Sequence, residues 1–265
     1  MTATQVTLFQ LDNYGPWTVT PEPRPEPELQ ALQARLYADL ADAVGDRGGY
    51  VFVTRFDNVV AVTNGLDRED HRAIQAAIAE RYPVTVSAAI GYDERPATAL
   101  AEATERLQNQ GSAQDAARTE VLVGEPLQAE TGSGSASGTA PGTVRVAHFD
   151  VVDVTGQLTD QVDAYGAHLE VQGATQTLSR YCYDQHGALA FFVGGDNVIA
   201  ICPDLDVAAY EAVIEHVRET VGVQFQVGIG DGSTATEAGM AAKFALEDCR
   251  RDGSRVEGLA APTAD

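Results

Sequence analysis

Ala190-Phe-Phe-Val-Gly-Gly-Asp-Asn-Val-Ile-Ala-Ile-Cys202 is the stretch on which the reading of this chain turns. One apolar run enters, Gly194-Gly195-Asp196-Asn197 reverses the chain, and a second apolar run leaves. That is the pattern of a β-hairpin, here with a carboxylate at its tip. A relative lies upstream, Tyr50-Val-Phe-Val-Thr-Arg-Phe-Asp-Asn-Val-Val-Ala-Val-Thr63, with Asp57-Asn58 where the other carries Asp196-Asn197. The same hairpin occurs twice.

The flanking segments repeat in the same order. Val6–Asp12 alternates as a strand, Asn13–Thr18 reads as a loop, and the charged, proline-rich segment 21–27 reads as extended chain. Leu29, Leu32, Leu36 and Leu40 line one face of a helix that stops near Gly45. After the first hairpin come a helix over Arg68–Tyr82, a strand over Pro83–Gly91, a helix over Ala97–Gln110, a polar loop and a short strand over Glu120–Val123. Residues 127–142, rich in Gly, Ser, Ala and Thr, have the composition of a flexible linker. Beyond it, Val144–Asp150 is a strand, about Gln161–Tyr181 a helical region, and the second hairpin follows. A helix over Val207–Val221, a strand over Val223–Gly230, a helix over Thr236–Arg250 and a short strand at Arg255-Val256 complete the half. Asp12 and Asp57 lie 45 residues apart, Asp150 and Asp196 lie 46, and each hairpin aspartate precedes an Ile-Gly glycine by 34. The pattern predicts an α+β chain, a tandem duplication of a ferredoxin-like βαββαβ unit, with units over 1–126 and 143–265.

Composition narrows the chemistry. With 39 acidic against 17 basic residues the formal net charge is −22, and Lys243 is the sole lysine. Such a charge repels nucleic acid and anionic membranes. It is the composition expected of a cytoplasm of multimolar salt, where a Debye length of about 3 Å or less mutes self-repulsion. No apolar run is long enough to span a bilayer. The N-terminal Met-Thr-Ala-Thr-Gln-Val lacks the regions of a secretory signal, so a cytoplasmic location is expected. Cys182, Cys202 and Cys249 and the five histidines show no zinc-ligand spacing.

That leaves oxygen chemistry. An aspartate ending the first strand and another at the hairpin tip lie on neighbouring strands of such a sheet. Two carboxylates held close repel unless a cation sits between them. The expected pairs are Asp12 with Asp57 and Asp150 with Asp196, as ligands for Mg²⁺, with Asp57 and Asp196 as the catalytic members. Ordinary turn chemistry is the alternative for any single aspartate; Asp153 has no counterpart and reads as surface. Gly194 and Gly195 let backbone approach a phosphate. Arg55 in the first hairpin either meets a phosphate or carbonyl oxygen or pairs with one of the many acids. Asn13, Tyr14, Asn58 and Asn197 offer groups for a purine edge or serve as turn residues. Trp17 is core packing or a stacking platform. Gln114 and Asp115 offer the donor set and carboxylate that suit a guanine Watson–Crick edge.

The motifs Gly194-Gly195-Asp196-Asn197 and His148-Phe149-Asp150 resemble the palm-type nucleotidyl cyclase and GGDEF fold. Together with Gln10–Thr18, Thr54–Asn58 and Gly111–Asp115, the whole chain is similar to the archaeal GTP cyclohydrolase III family, in a salt-adapted, haloarchaeal form. The resemblance implies that GTP and water give 2-amino-5-formylamino-6-(5-phosphoribosylamino)pyrimidin-4(3H)-one and two phosphates, an early step towards riboflavin and deazaflavin cofactors. It also implies dependence on Mg²⁺ and stimulation by K⁺. The expected partner is GTP, with neither nucleic acid nor membrane, in a homo-oligomer. A nucleotidyl cyclase releasing pyrophosphate and an inactive GTP-sensing module are the competing readings.

Overall fold

The computed structural model describes residues 3–127, 142–153 and 162–259. They divide into two units, Ala3–Glu94 with Thr98–Gly142, and Thr143 onward with Arg95–Ala97. Apart from Leu127 and Gly142, the expected linker lies outside the described residues. Both of these are tied to the first unit, Leu127 N donating to Gln5 Oε1 (2.5 Å) and Gly142 O accepting from Asn64 Nδ2 (3.3 Å).

The first unit runs β1 (Thr4–Leu11), α1 (Tyr14–Val19), α2 (Glu26–Gly45), β2 (Tyr50–Arg55), β3 (Asn58–Val62), α3 (Arg68–Arg81), β4 (Val86–Asp93), α4 (Pro96–Gln108) and β5 (Leu122–Val123). Its sheet has the order β2-β3-β1-β4-β5, with β1 antiparallel to both neighbours and β5 parallel to β4. Phe9 and Leu11 of β1 meet Leu36 and Leu40 of α2 and Ile74 and Ile78 of α3 in one core. Asp67 and Asp70 form a reciprocal capping box that starts α3. Two segments differ from expectation. The stretch read as a loop after Asp12 forms α1, and α2 begins inside the segment read as extended. Pro16 and Pro27 fall in first turns, where the missing N–H has no helical partner to lose.

The second unit repeats the plan: β6 (Val144–Val151), α5 (Ala164–Tyr181), β7 (Leu189–Gly194), β8 (Asn197–Cys202), α6 (Val207–Val221), β9 (Phe225–Gly232), α7 (Ala235–Asp252) and β10 (Val256–Glu257). A π-turn over Cys182–His186 links α5 to β7. The sheet order is β10-β9-β6-β8-β7, and Phe149, Tyr210 and Phe225 pack at its centre. The three cysteines are buried and free. Among the described residues no helix is long and apolar enough to cross a membrane. The architecture is the duplicated ferredoxin-like βαββαβ unit that the hairpin echo predicts.

Register corrects one inference. Val6 of β1 pairs with Val62 and Gly91, whereas Val146 of β6 pairs with Ile201 and Gly230. Phe9 and Leu11 therefore correspond to Phe149 and Val151, and both pairs point into their cores. The counterpart of Asp150 is then Gln10, and that of Asp12 is Val152. Backbone bonds agree: Asp12 N donates to Thr85 O (2.9 Å) as Val152 N donates to Gln224 O (2.8 Å). The similar aspartate intervals hid a two-residue slip along the strand, because spacing along a chain does not report pairing across a sheet. Asp57 and Asp196 do correspond, each following a bulge in its hairpin.

The Ile-Gly pairs have a packing cause. A Cβ at Gly230 would collide with the Ala238 carbonyl and the Ala242 amide of α7, and one at Gly91 with the Ala99 carbonyl of α4. Gly230→Ala is expected to destabilise the protein by about 2–3 kcal/mol in chemical denaturation at fixed salt, because backbone must move to admit the methyl.

Candidate functional site

In the second unit the end of β6 and the tip of the β7–β8 hairpin meet. Asp150 is buried, at 6% exposure, and its Oδ2 accepts from Gln226 Nε2 (3.1 Å) and from Arg250 Nη2 (2.9 Å). Asp196 accepts the amide of Val151, and its carboxyl is pushed above the usual carboxylate range by burial and then by the Asp150 charge. The turn exists because Gly194 (φ 116°) and Gly195 (φ 64°) adopt left-handed backbone that a side chain would strain. Asn197 Oδ1 lies 2.8 Å from His148 Nε2, and burial holds that imidazole below its usual range, hence neutral at pH 7. A pocket of about 250 Å³ opens here, lined by His148, Gly194, Asn197, Lys243 and Arg250 among others.

The first unit assembles differently. Asp12 is buried at 2% exposure, and its oxygens accept from Ser87 Oγ (2.6 Å), Thr85 Oγ1 (2.8 Å) and Glu120 N (2.9 Å), with Arg118 Nη2 at 3.8 Å. Three hydrogen bonds inside the fold thus hold this carboxylate. Asp57 is half-buried and pairs with Arg55 (2.9 Å) and Asn58 Nδ2 (3.0 Å), while Gln10 Nε2 donates to Asn58 Oδ1 (3.0 Å). Where the second unit has a second carboxylate, the first has an amide. Asp12 and Asp57 are thus bonded to different partners and not to a common site, whereas Asp150 and Asp196 stand at a neighbouring strand end and hairpin tip. Among the described residues no three of His, Cys, Asp and Glu converge as a ligand cluster.

The remaining expected residues gather at the same end of the first sheet. Asn13 (φ 53°) donates its N–H to Ala113 O (2.5 Å), which draws the loop carrying Gln114 and Asp115 against α1. The amide of Gln114 lies over Gly15, and Asp115, exposed, accepts from Ala117 N (2.9 Å). Tyr14 Oη accepts from Gln33 Nε2 (2.8 Å), and burial raises its pKa. Trp17 packs against the core, stacks on Tyr14 (6.0 Å) and carries Arg24 over its ring (4.1 Å), so its face is occupied. Arg55 takes the salt-bridge alternative. Asp153 is exposed, in a left-handed turn (φ 50°) after β6.

Sequence reasoning assigned no site role to Gln10, Gln226, Arg118, His148, Lys243 or Arg250. Lys243 and Arg250 had a signal: they lie seven residues apart on one helix, hence on one face, and Lys243 is the sole lysine.

A profile of the family described as GTP cyclohydrolase III matches residues 6–265. The chain is similar to "GTP cyclohydrolase III" of Halorubrum lacusprofundi, with 54% identity over 99% of this chain and 98% of that one. For the protein of the same name from Natronomonas pharaonis the identity is 55% over 97% and 99%. For that of Methanothermobacter thermautotrophicus it is 44% over 93% and 94%. Among solved structures, the GGDEF domain of DgcB from Caulobacter crescentus in complex with c-di-GMP matches at 16% identity and a TM-score of 0.36. That match covers 43% of this chain and 77% of that one.

Two measurements separate the roles of the aspartates. Asp12→Ala strands buried donors and is expected to cost about 3–5 kcal/mol in denaturant unfolding, whereas Asp57→Ala costs about 1 kcal/mol or less. In NMR titration, Asp150→Asn should lower the Asp196 pKa towards the ordinary carboxylate value. Because a raised carboxyl pKa disfavours the ionised folded form, Asp196→Asn should stabilise the chelator-treated protein at neutral pH. That gain should fade as pH falls through the Asp196 pKa.

Proposed function

The chain belongs to the GTP cyclohydrolase III family, and we propose that it hydrolyses GTP with opening of the imidazole ring and release of two phosphates. The product is 2-amino-5-formylamino-6-(5-phosphoribosylamino)pyrimidin-4(3H)-one. One water adds at the carbon between the imidazole nitrogens, and one more is consumed at each phosphoanhydride cleaved. The observation that carries the metal chemistry is the placement of Asp150, at the end of β6, next to Asp196 in the glycine turn of the adjoining hairpin. Asp150 and Asp196 would hold Mg²⁺, which when bound supplies charge neutralisation on phosphate oxygens and a more acidic water. Gly194 and Gly195 expose backbone to the phosphates without a Cβ in the way. His148, kept neutral by burial and oriented by Asn197, can accept a proton at pH 7. In the first unit Asn13, Gln114 and Asp115 present amide and carboxylate groups complementary to a guanine edge. K⁺ as an activator is supported by the family resemblance and by the acid-rich composition.

Incubation with GTP and Mg²⁺ should release two phosphates per GTP and replace the purine absorbance by that of a formamidopyrimidine. Intact guanine in every product, or pyrophosphate in place of phosphate, would overturn the reading. Asp150→Asn and Asp196→Asn should each lower kcat by about 10³-fold or more and abolish Mn²⁺ binding seen by electron paramagnetic resonance. Asp57→Asn should retain that binding.

A further inference from the structure

Arg250 has two neighbours of opposite meaning. In the last turn of α7 its Nη2 lies 2.9 Å from Oδ2 of Asp150, the carboxylate that would help to hold the proposed cation. Its Nη1 is held by Glu247, one turn back on the same helix (2.5 Å). The guanidinium also lines the pocket beside Gly194, with Lys243 two turns back along the same face. Lys243 is exposed and takes part in none of the ion pairs found among the described residues, although the chain carries 39 acidic groups. An unpaired ammonium and a tethered guanidinium on one wall, with left-handed glycines on another, form a setting for phosphate oxygens.

Two cations cannot share one carboxylate oxygen without repelling each other. A divalent ion on Asp150 weakens the Arg250 bond and frees that guanidinium at the pocket wall. Resting on the assignment of Asp150 and Asp196 as the metal pair, we propose that Arg250 is an exchangeable counter-ion. It is bonded to Asp150 until a divalent cation takes that carboxylate, and it then turns with Lys243 onto the triphosphate beside Gly194. Metal and substrate binding are thereby coupled through one side chain. The guanidinium that competes with the metal is the one that the metal hands to the nucleotide.

The coupling gives effects of opposite sign. In calorimetric titrations at fixed salt, Arg250→Gln should bind Mn²⁺ about three- to tenfold more tightly, because the competing charge is gone. The same variant, saturated with Mn²⁺, should bind inorganic tripolyphosphate about tenfold or more weakly. Lys243→Gln should weaken tripolyphosphate binding without tightening Mn²⁺. Arg251→Gln removes an identical charge one residue on, where the partners are Asp248 and Asp252, and should change neither affinity. An unaltered urea midpoint shows that the fold is intact, and Arg250→Lys should restore part of the tripolyphosphate affinity. Weaker or unchanged Mn²⁺ binding in Arg250→Gln overturns the exchange, provided that Asp150→Asn loses Mn²⁺. Mn²⁺ binding unchanged in Asp150→Asn overturns the metal assignment and the exchange with it.

Discussion

Everything at the two ends of interest depends on one constraint, the antiparallel clamping of a central strand between a hairpin and a later strand. β1 is held by β3 and β4, and β6 by β8 and β9. Side chains in a strand alternate between faces, so clamping decides at once which residues enter the core and which stand at the sheet end beside the turn. In the second unit Phe149 and Val151 go to the core, and Asp150 is left against the hairpin tip. In the first unit Phe9 and Leu11 take those core positions, and the place of Asp150 falls to Gln10. One scaffold therefore presents a carboxylate pair once and an amide–carboxylate pair once.

Burial of charge follows the same logic. A carboxylate out of water must be compensated, and the two units do it in different ways. Asp12 is compensated by two hydroxyls, one amide and a nearby guanidinium, and it ties β1, β4 and the loop before β5 together. Asp150 has a side-chain amide and one guanidinium, while Asp196 is left with a raised pKa. Elsewhere Arg145 is buried in the second unit between Asp204 (2.6 Å) and the bidentate Asp231, which hold its guanidinium fully charged. With few basic residues and many acids, most cations are spent on acids. Lys243 beside the glycine turn stands apart from that pattern.

The second hairpin gathers glycines with left-handed backbone, two neighbouring carboxylates and positive charge from α7. The first unit offers a loop anchored by Asn13 and carrying Gln114 and Asp115, polar groups of the kind that read a base.

Much of this was readable from the chain alone, because it rests on local patterns. The two hairpins, the duplication and the buried helix faces of Leu36, Leu40, Ile74 and Ile78 all follow from periodicity and turn chemistry. The placement of Asp150 at a strand end and of Asp196 at the adjoining hairpin tip was equally accessible, since the two are neighbours in this topology. Substitution of Gln10 for the expected aspartate was not, because register is set by which apolar side chains fill the core, and a count along the chain is blind to it. Nor could spacing show that Asp12 would be consumed by Ser87 and Thr85, or that Arg250, a hundred residues beyond Asp150, would reach it. Those partners meet through long-range packing of helix on sheet, and the free energy of that packing belongs to no single segment.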